Sequence, residues 1–118
     1  LKNIVVLGSS GSIGQNALWV ASRFPEEFNI YGLSVHSNID TLETQIEKFN
    51  PKVVCVSNED AASRIDSKSF GDIEIVSGAA GLEDIASRSE VDIVVNAVVG
   101  FAGLRSTYAA AKAGKKIA

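Results

Sequence analysis

A chain of 118 residues, 46% of them hydrophobic, has the size of one domain with a single core, and no low-complexity tract or repeat interrupts it. A net charge of −3 with acids and bases interspersed offers no basic stripe to neutralise a nucleic-acid backbone, which argues against nucleic acid as a partner. No apolar run approaches the ~20 residues that span a bilayer and the N-terminus lacks a signal-peptide pattern, so a soluble, cytoplasmic protein with no membrane partner is expected.

The first element is Ile4-Val5-Val6-Leu7, a continuous apolar run of the kind that forms a central parallel strand covered on both faces. Gly8 ends it, and glycines recur at every third position as Gly8, Gly11 and Gly14, separated by small hydroxyl residues and Ile13. Such a loop can adopt positive φ and turn the amides of Ser10 to Ile13 toward an anion. A helix beginning there adds unpaired N–H groups and a macrodipole of roughly half a charge, both favouring a pyrophosphate. Gly14 falls on the first turn of that helix, where a missing Cβ allows close packing. The spacing departs from the commonest dinucleotide fingerprint, because Ser10 holds the place of its second glycine. The alternative reading is a tight strand-to-helix turn with no ligand.

Ile13, Ala17, Val20, Ala21 and Phe24 then recur at helical spacing until Pro25, which leaves Trp19 off the apolar stripe. Residues Phe28 to Val35 read as a second strand ending at His36-Ser37-Asn38. Asn38 or Asp40 can cap the next helix, whose apolar face is Ile39, Leu42, Ile46 and Phe49 and which Asn50-Pro51 stops. Val53 to Val56 completes a βαβαβ unit, and Cys55 within it packs as a small hydrophobe. A poorer helix follows from Glu59 to Lys68, with Ala61, Ala62 and Ile65 as its apolar face. Next come a strand at Ile73 to Val76, a Ser77-Gly78 turn, and a helix carrying Leu82, Ile85 and Ala86.

Val91 to Ala97 is another near-continuous apolar strand, running into Val98-Val99-Gly100-Phe101-Ala102-Gly103. Leu104 to Lys112 is helical, Gly114 caps it, and Lys115 to Ala118 starts a further strand. The pattern predicts an α/β fold: a Rossmann-like, doubly wound, mainly parallel sheet with helices on both faces, residues 1–118 forming one NAD(P)-binding domain. Ligands of such sheets bind beyond the C-terminal strand ends, which puts the loop after Ala97 beside the phosphate loop. The missing Met and the final incomplete strand lead us to expect the N-terminal part of a longer enzyme. No nucleophile–base pair, metal-ligand cluster or pair of carboxylates at catalytic spacing is evident, so neither a catalytic residue nor a metal site is expected in these residues.

In Leu7-Gly8-Ser9-Ser10-Gly11-Ser12-Ile13-Gly14, the Phe28 to Asn38 stretch, Val94 to Leu104, and Ala113-Gly114-Lys115-Lys116-Ile117-Ala118, the chain resembles the N-terminal part of the 1-deoxy-D-xylulose 5-phosphate reductoisomerases. The resemblance covers the whole chain, and the Val94 to Leu104 segment is its most specific part. It implies an intact homodimeric enzyme that rearranges this sugar phosphate and reduces the product with NADPH to 2-C-methyl-D-erythritol 4-phosphate, in non-mevalonate isoprenoid biosynthesis. It implies cytoplasmic localisation, or the plastid stroma in a plant or alga. It also implies a divalent metal, Mg or Mn, whose ligands lie beyond Ala118.

Residue by residue, the family pattern sets Gly8, Ser10, Gly11, Ser12 and Ile13 at the cofactor phosphates. It sets His36, Ser37 and Asn38 around the adenosine ribose and its 2′-phosphate, and Ala97, Val98, Val99 and Gly100 under the nicotinamide. His36-Ser37 replaces a glycine-lysine pair of some members, which removes a charged phosphate partner. The second strand nevertheless ends in potential donors, where an NAD-specific site usually carries Asp or Glu about 20 residues past the glycines. Asp40 is assigned to helix capping, and Asn96 can bond either the cofactor or its own loop. Two other readings remain: the cofactor domain of another NADP-dependent reductase such as a semialdehyde dehydrogenase, and a nucleotide-sensing module without chemistry.

Overall fold

The structure, a computed structural model, describes residues 1–118 apart from the side chain of Ser67. Strands β1 (Lys2–Leu7), β2 (Phe28–Val35), β3 (Val53–Val56), β4 (Glu74–Ser77), β5 (Ile93–Asn96) and β6 (Lys116–Ile117) form one parallel sheet in the order β4-β3-β2-β1-β5-β6. Between them run α1 (Ser12–Ser22), α2 (Ile39–Phe49), α3 (Glu59–Ser63), α4 (Gly78–Ser87) and α5 (Phe101–Lys112). This is the doubly wound α/β fold expected from the alternation of strand and helix patterns.

The continuous apolar run of β1 is required because both of its faces are covered. Ile4 and Val6 face one layer, with Leu18 and Ala21 of α1, Leu42 and Ile46 of α2, and Phe70. Val5 and Leu7 face the other, with Leu82, Ile85 and Ala86 of α4 and Ala110 of α5. Cys55 is fully buried in this second layer, and burial pushes its thiol up to about 12, consistent with a packing role. From β1 the chain winds outward to β4 with α1, α2 and α3 on the first face, then crosses on the second face through α4 to β5, on the opposite side of β1. The winding direction therefore reverses between β1 and β5. At such a switch point the connections leave in opposite directions and open a crevice beyond the strand ends.

Three local expectations are corrected. Of the expected stripe Ile13, Ala17, Val20, Ala21 and Phe24, only Ala21 is buried: the inner face of α1 is Gly14, Leu18 and Ala21, while Ile13, Val20 and Phe24 are exposed. Gln15 and Trp19 flank the α2 residues Gln45, Lys48 and Phe49, which puts the predicted stripe on the far side of the helix, where the first face carries no further helix. Trp19 is itself 61% exposed, with the Arg23 guanidinium 5.7 Å from its ring centre. Second, the helix expected from Glu59 to Lys68 ends at Ser63. Asp66 Oδ1 accepts from the Lys68 N–H at 3.0 Å and starts a separate 3-10 turn, Ser67–Phe70, which buries Phe70. Third, α5 starts at Phe101, before Leu104, because Gly100 takes φ +81° and breaks the chain direction there.

Candidate functional site

The crevice is built by three chain turns at the C-terminal ends of β1, β2 and β5. The first is the glycine loop. Gly8 adopts φ +75°, and a Cβ there would lie 3.0 Å from the carbonyl oxygen of Ala97. That proximity brings the turn after β5 directly against the turn after β1, as the switch-point expectation requires. Gly14 sits against the same loop. A Cβ on it would collide with the Gly8 carbonyl oxygen and approach the Ser9 Cα to 2.7 Å, so α1 can start this close to β1 only with glycine.

The N-terminus of α1 is open. Gln15 N–H closes the first helical bond to Gly11 at 2.9 Å, whereas the amides of Ser12, Ile13 and Gly14 donate to no acceptor among the described residues. Gly11 is the N-cap and has no side chain to satisfy them. Ser12 and Ile13 are exposed and Ser10 is half-buried. Unpaired amides at the positive end of a helix dipole form an anion site, and a pyrophosphate satisfies several of them at once.

The loop is held from behind by residues that sequence patterns did not single out. Ser34 of β2 accepts the Gly8 N–H on its hydroxyl at 3.0 Å, and its carbonyl accepts both the Ser9 N–H at 2.7 Å and the Ser9 hydroxyl at 3.1 Å. Gln45 of α2 donates its side-chain amide to the Ser9 carbonyl at 2.8 Å, and Gln15 donates to the Ser10 carbonyl at 2.7 Å. Gln45 carried a readable signal: it is a polar residue within the apolar stripe Leu42, Ile46, Phe49. Ser34 carried none beyond being a hydroxyl in a buried strand.

The second turn is His36-Ser37-Asn38, exposed at the end of β2. The Asn38 side-chain oxygen accepts from the Thr41 N–H at 3.1 Å, so Asn38, and not Asp40, caps α2. Its amide nitrogen stays available as a donor. His36 Nδ1 shares a hydrogen bond of 3.0 Å with the Ser57 hydroxyl, which orients the ring, and Nε2 has no hydrogen-bond partner among the described residues. The third turn is Ala97 to Gly100, with Ala97 and Val98 half-buried and Val99 and Gly100 exposed. Asn96 is occupied within its own loop: its side-chain amide donates to the Gly103 carbonyl and the Thr107 hydroxyl, each at 2.8 Å, and its oxygen accepts the Val98 N–H at 3.0 Å. Gly103 completes the turn, since a Cβ there would collide with the Val98 carbonyl. The twelve sequence-selected positions therefore follow the C-terminal ends of three neighbouring strands: Gly8, Ser10, Gly11, Ser12 and Ile13 after the central β1, His36 to Asn38 after β2, and Ala97 to Gly100 after β5.

The description "1-deoxy-D-xylulose 5-phosphate reductoisomerase" belongs to the family model that matches residues 4–118. A protein of that name from Chloroherpeton thalassium is 48% identical over 118 residues, covering 99% of this chain and 30% of that protein. A crystal structure of DOX-P reductoisomerase in complex with NADPH, fosmidomycin and magnesium is similar at TM-score 0.89 and 38% identity, over 99% of this chain and 29% of the other. The reductoisomerase from Zymomonas mobilis in complex with NADPH gives TM-score 0.89 at 26% identity, over 99% of this chain and 31% of that one. The chain thus spans about 30% of the length of the curated relatives it matches. Among the described residues, no helix is long and apolar enough to cross a membrane.

Proposed function

Because the chain belongs to the 1-deoxy-D-xylulose 5-phosphate reductoisomerase family, we propose that it is the NADPH-binding part of an enzyme converting that sugar phosphate to 2-C-methyl-D-erythritol 4-phosphate. The observation that carries this reading is the set of open α1 amides at the strand reversal, beside a β2 end, His36 to Asn38, that carries no carboxylate. The residues fit the cofactor. Gly8, Ser10, Gly11, Ser12 and Ile13 cradle its pyrophosphate, with the Ser12 and Ile13 amides as donors. Ser37 and the free amide of Asn38 donate to the ribose 2′-phosphate, with His36 Nε2 beside them. Ala97, Val98, Val99 and Gly100 form a small apolar wall for the nicotinamide.

When bound, NADPH supplies the hydride for reduction of the rearranged sugar phosphate. What these residues contribute is binding and orientation: the Gly8 and Gly103 turns fix the wall, and Asn96 holds its shape. The divalent metal, Mg or Mn, is assigned to residues of the full-length protein outside 1–118, where the sugar-phosphate half of the site also belongs, and the intact enzyme is assigned as a homodimer.

Calorimetric titration of the full-length protein with NADPH and NADH tests the cofactor half. Tighter binding of NADPH, by about tenfold or more for a satisfied 2′-phosphate, is expected. Equal affinities would refute the assignment at His36, Ser37 and Asn38. NADPH consumption on adding 1-deoxy-D-xylulose 5-phosphate and Mg2+ tests the reaction.

A further inference from the structure

Buried side-chain polarity in this domain is concentrated behind one loop. The buried polar residues are Ser9, Ser34, Gln45 and Ser106, and the first three are hydrogen-bonded to one another around the turn after β1. Gln45 is the most demanding of them to keep. Its side chain is almost wholly enclosed, its amide nitrogen is committed to the Ser9 carbonyl at 2.8 Å, and its oxygen has no partner among the described residues. An unpartnered buried acceptor destabilises a fold, and an apolar side chain of the same length would avoid it. The amide is therefore present for what its donor does.

What the donor does follows from peptide geometry. The chain contains no cis peptide, so the Ser9 carbonyl and the Ser10 N–H lie on opposite sides of one planar unit. With the carbonyl drawn toward α2 by Gln45, the Ser10 N–H must point away from α2, and it donates to no acceptor among the described residues. Ser34 fixes the two preceding units, its hydroxyl accepting from the Gly8 N–H and its carbonyl from the Ser9 N–H. We propose that Gln45, without touching the cofactor, is a positioning residue for its pyrophosphate: by holding the Ser9–Ser10 peptide it aims the Ser10 amide at the phosphate alongside the open amides of α1. This inference rests on the NADPH assignment above and adds a residue to it.

Gln45→Met keeps the chain length and apolar stem of the side chain but removes the donor. In the full-length protein it is expected to weaken NADPH binding by about tenfold, the scale of one charge-assisted hydrogen bond. Binding of adenosine 2′-monophosphate, which has no pyrophosphate, should stay within about twofold, since no positioned group meets it. Unchanged NADPH affinity, or equal weakening of both ligands, would overturn the proposal. The wild-type protein supplies a second test that does not depend on the variant folding. Its Ser10 amide proton should move downfield on adding NADPH and stay in place with adenosine 2′-monophosphate, and an amide that responds to neither ligand also overturns it. A wild-type protein that binds no NADPH at all would refute the cofactor assignment itself, and this inference with it.

Discussion

Gly14→Ala probes the point at which α1 meets the phosphate loop. A carbon–carbon contact settles at about 3.5–4.0 Å, whereas the new Cβ would start 2.7 Å from the Ser9 Cα and closer still to the Gly8 carbonyl oxygen, so α1 must retreat by about 1 Å. Both obstacles are backbone and cannot rotate aside. Overpacking of this kind costs about 1–3 kcal/mol, offset by about 1 kcal/mol of better helix propensity, leaving a net loss of up to about 2 kcal/mol. The same retreat carries the Ser12 and Ile13 amides away from the anion. Losing one charge-assisted bond at about 1.5–3 kcal/mol weakens NADPH binding by roughly tenfold to a hundredfold. Denaturant unfolding and calorimetry on the full-length protein measure the two effects. Gly11→Ala is the control, because its φ of −78° suits any residue and its Cβ would find nothing closer than the Gly8 carbonyl oxygen at 3.8 Å. A stability loss of no more than about 1 kcal/mol, the scale of alanine at an N-cap, with NADPH affinity less affected than in Gly14→Ala, is expected. Gly14→Ala with wild-type stability and wild-type NADPH affinity would refute the cradle.

Ser37→Asp places a carboxylate where the 2′-phosphate is assigned. It should lower NADPH affinity by at least about tenfold while NADH affinity holds or rises, as competition binding would reveal. Asn96→Asp keeps the acceptor for Val98 N–H but sets a carboxylate oxygen against the Gly103 carbonyl in place of a donor. A stability loss of about 1–3 kcal/mol in chemical denaturation is expected, and no loss would mean that the turn is held by its glycines alone. The Cys55 thiol, raised from 9.0 to about 12 by burial, should resist alkylation at pH 8 until the chain unfolds, and rapid labelling of folded protein would contradict its enclosure. The sign of its pH effect follows from which state keeps the proton: between pH 9 and 12 the unfolded thiol ionises while the folded one stays protonated, so Cys55 lowers stability as pH rises through that window.

The parallel α/β class and the adjacency of the turns after β1 and β5 were largely readable because they depend on signals that periodicity carries. The unbroken run Ile4 to Leu7 reads as a strand covered twice, and of the three glycines Gly8 and Gly14 are the ones the close start of α1 against it requires. The α1 face was misread for a related reason. Ile13-Ala17-Val20-Ala21-Phe24 and Gly14-Leu18-Ala21 both repeat at helical spacing and share Ala21; hydrophobicity favours the first, whereas the packing constraint at Gly14 selects the second. A close approach of backbones outweighs an apolar stripe, and a glycine adds nothing to a hydrophobic average. The break at Asp66 was missed because a side chain capping two residues ahead is a local event inside an otherwise helical composition. Ser34 and Gln45 were missed because a buried polar side chain is defined by a partner distant in the chain, here Ser9, 25 and 36 residues away.

The reversal of strand order also sets when binding competence can arise during synthesis. β1 is joined on one side to β2, which follows after a single helix, but on the other to β5, with the Asn3 N–H donating to the Asp92 carboxylate 89 positions later. A nascent chain can thus lay down β1 to β4 as a self-consistent layer while the second edge of β1 stays bare, exposing unpaired backbone and the Val5 and Leu7 side chains that α4 and α5 will cover. Only after residue 98 has left the ribosome can the turn beyond β5 close over Gly8. Docking of β5 is the long-range, entropically expensive step. A ligand that bridges the two turns acts on this last step, favouring its completion over pairing of the open edge with another molecule.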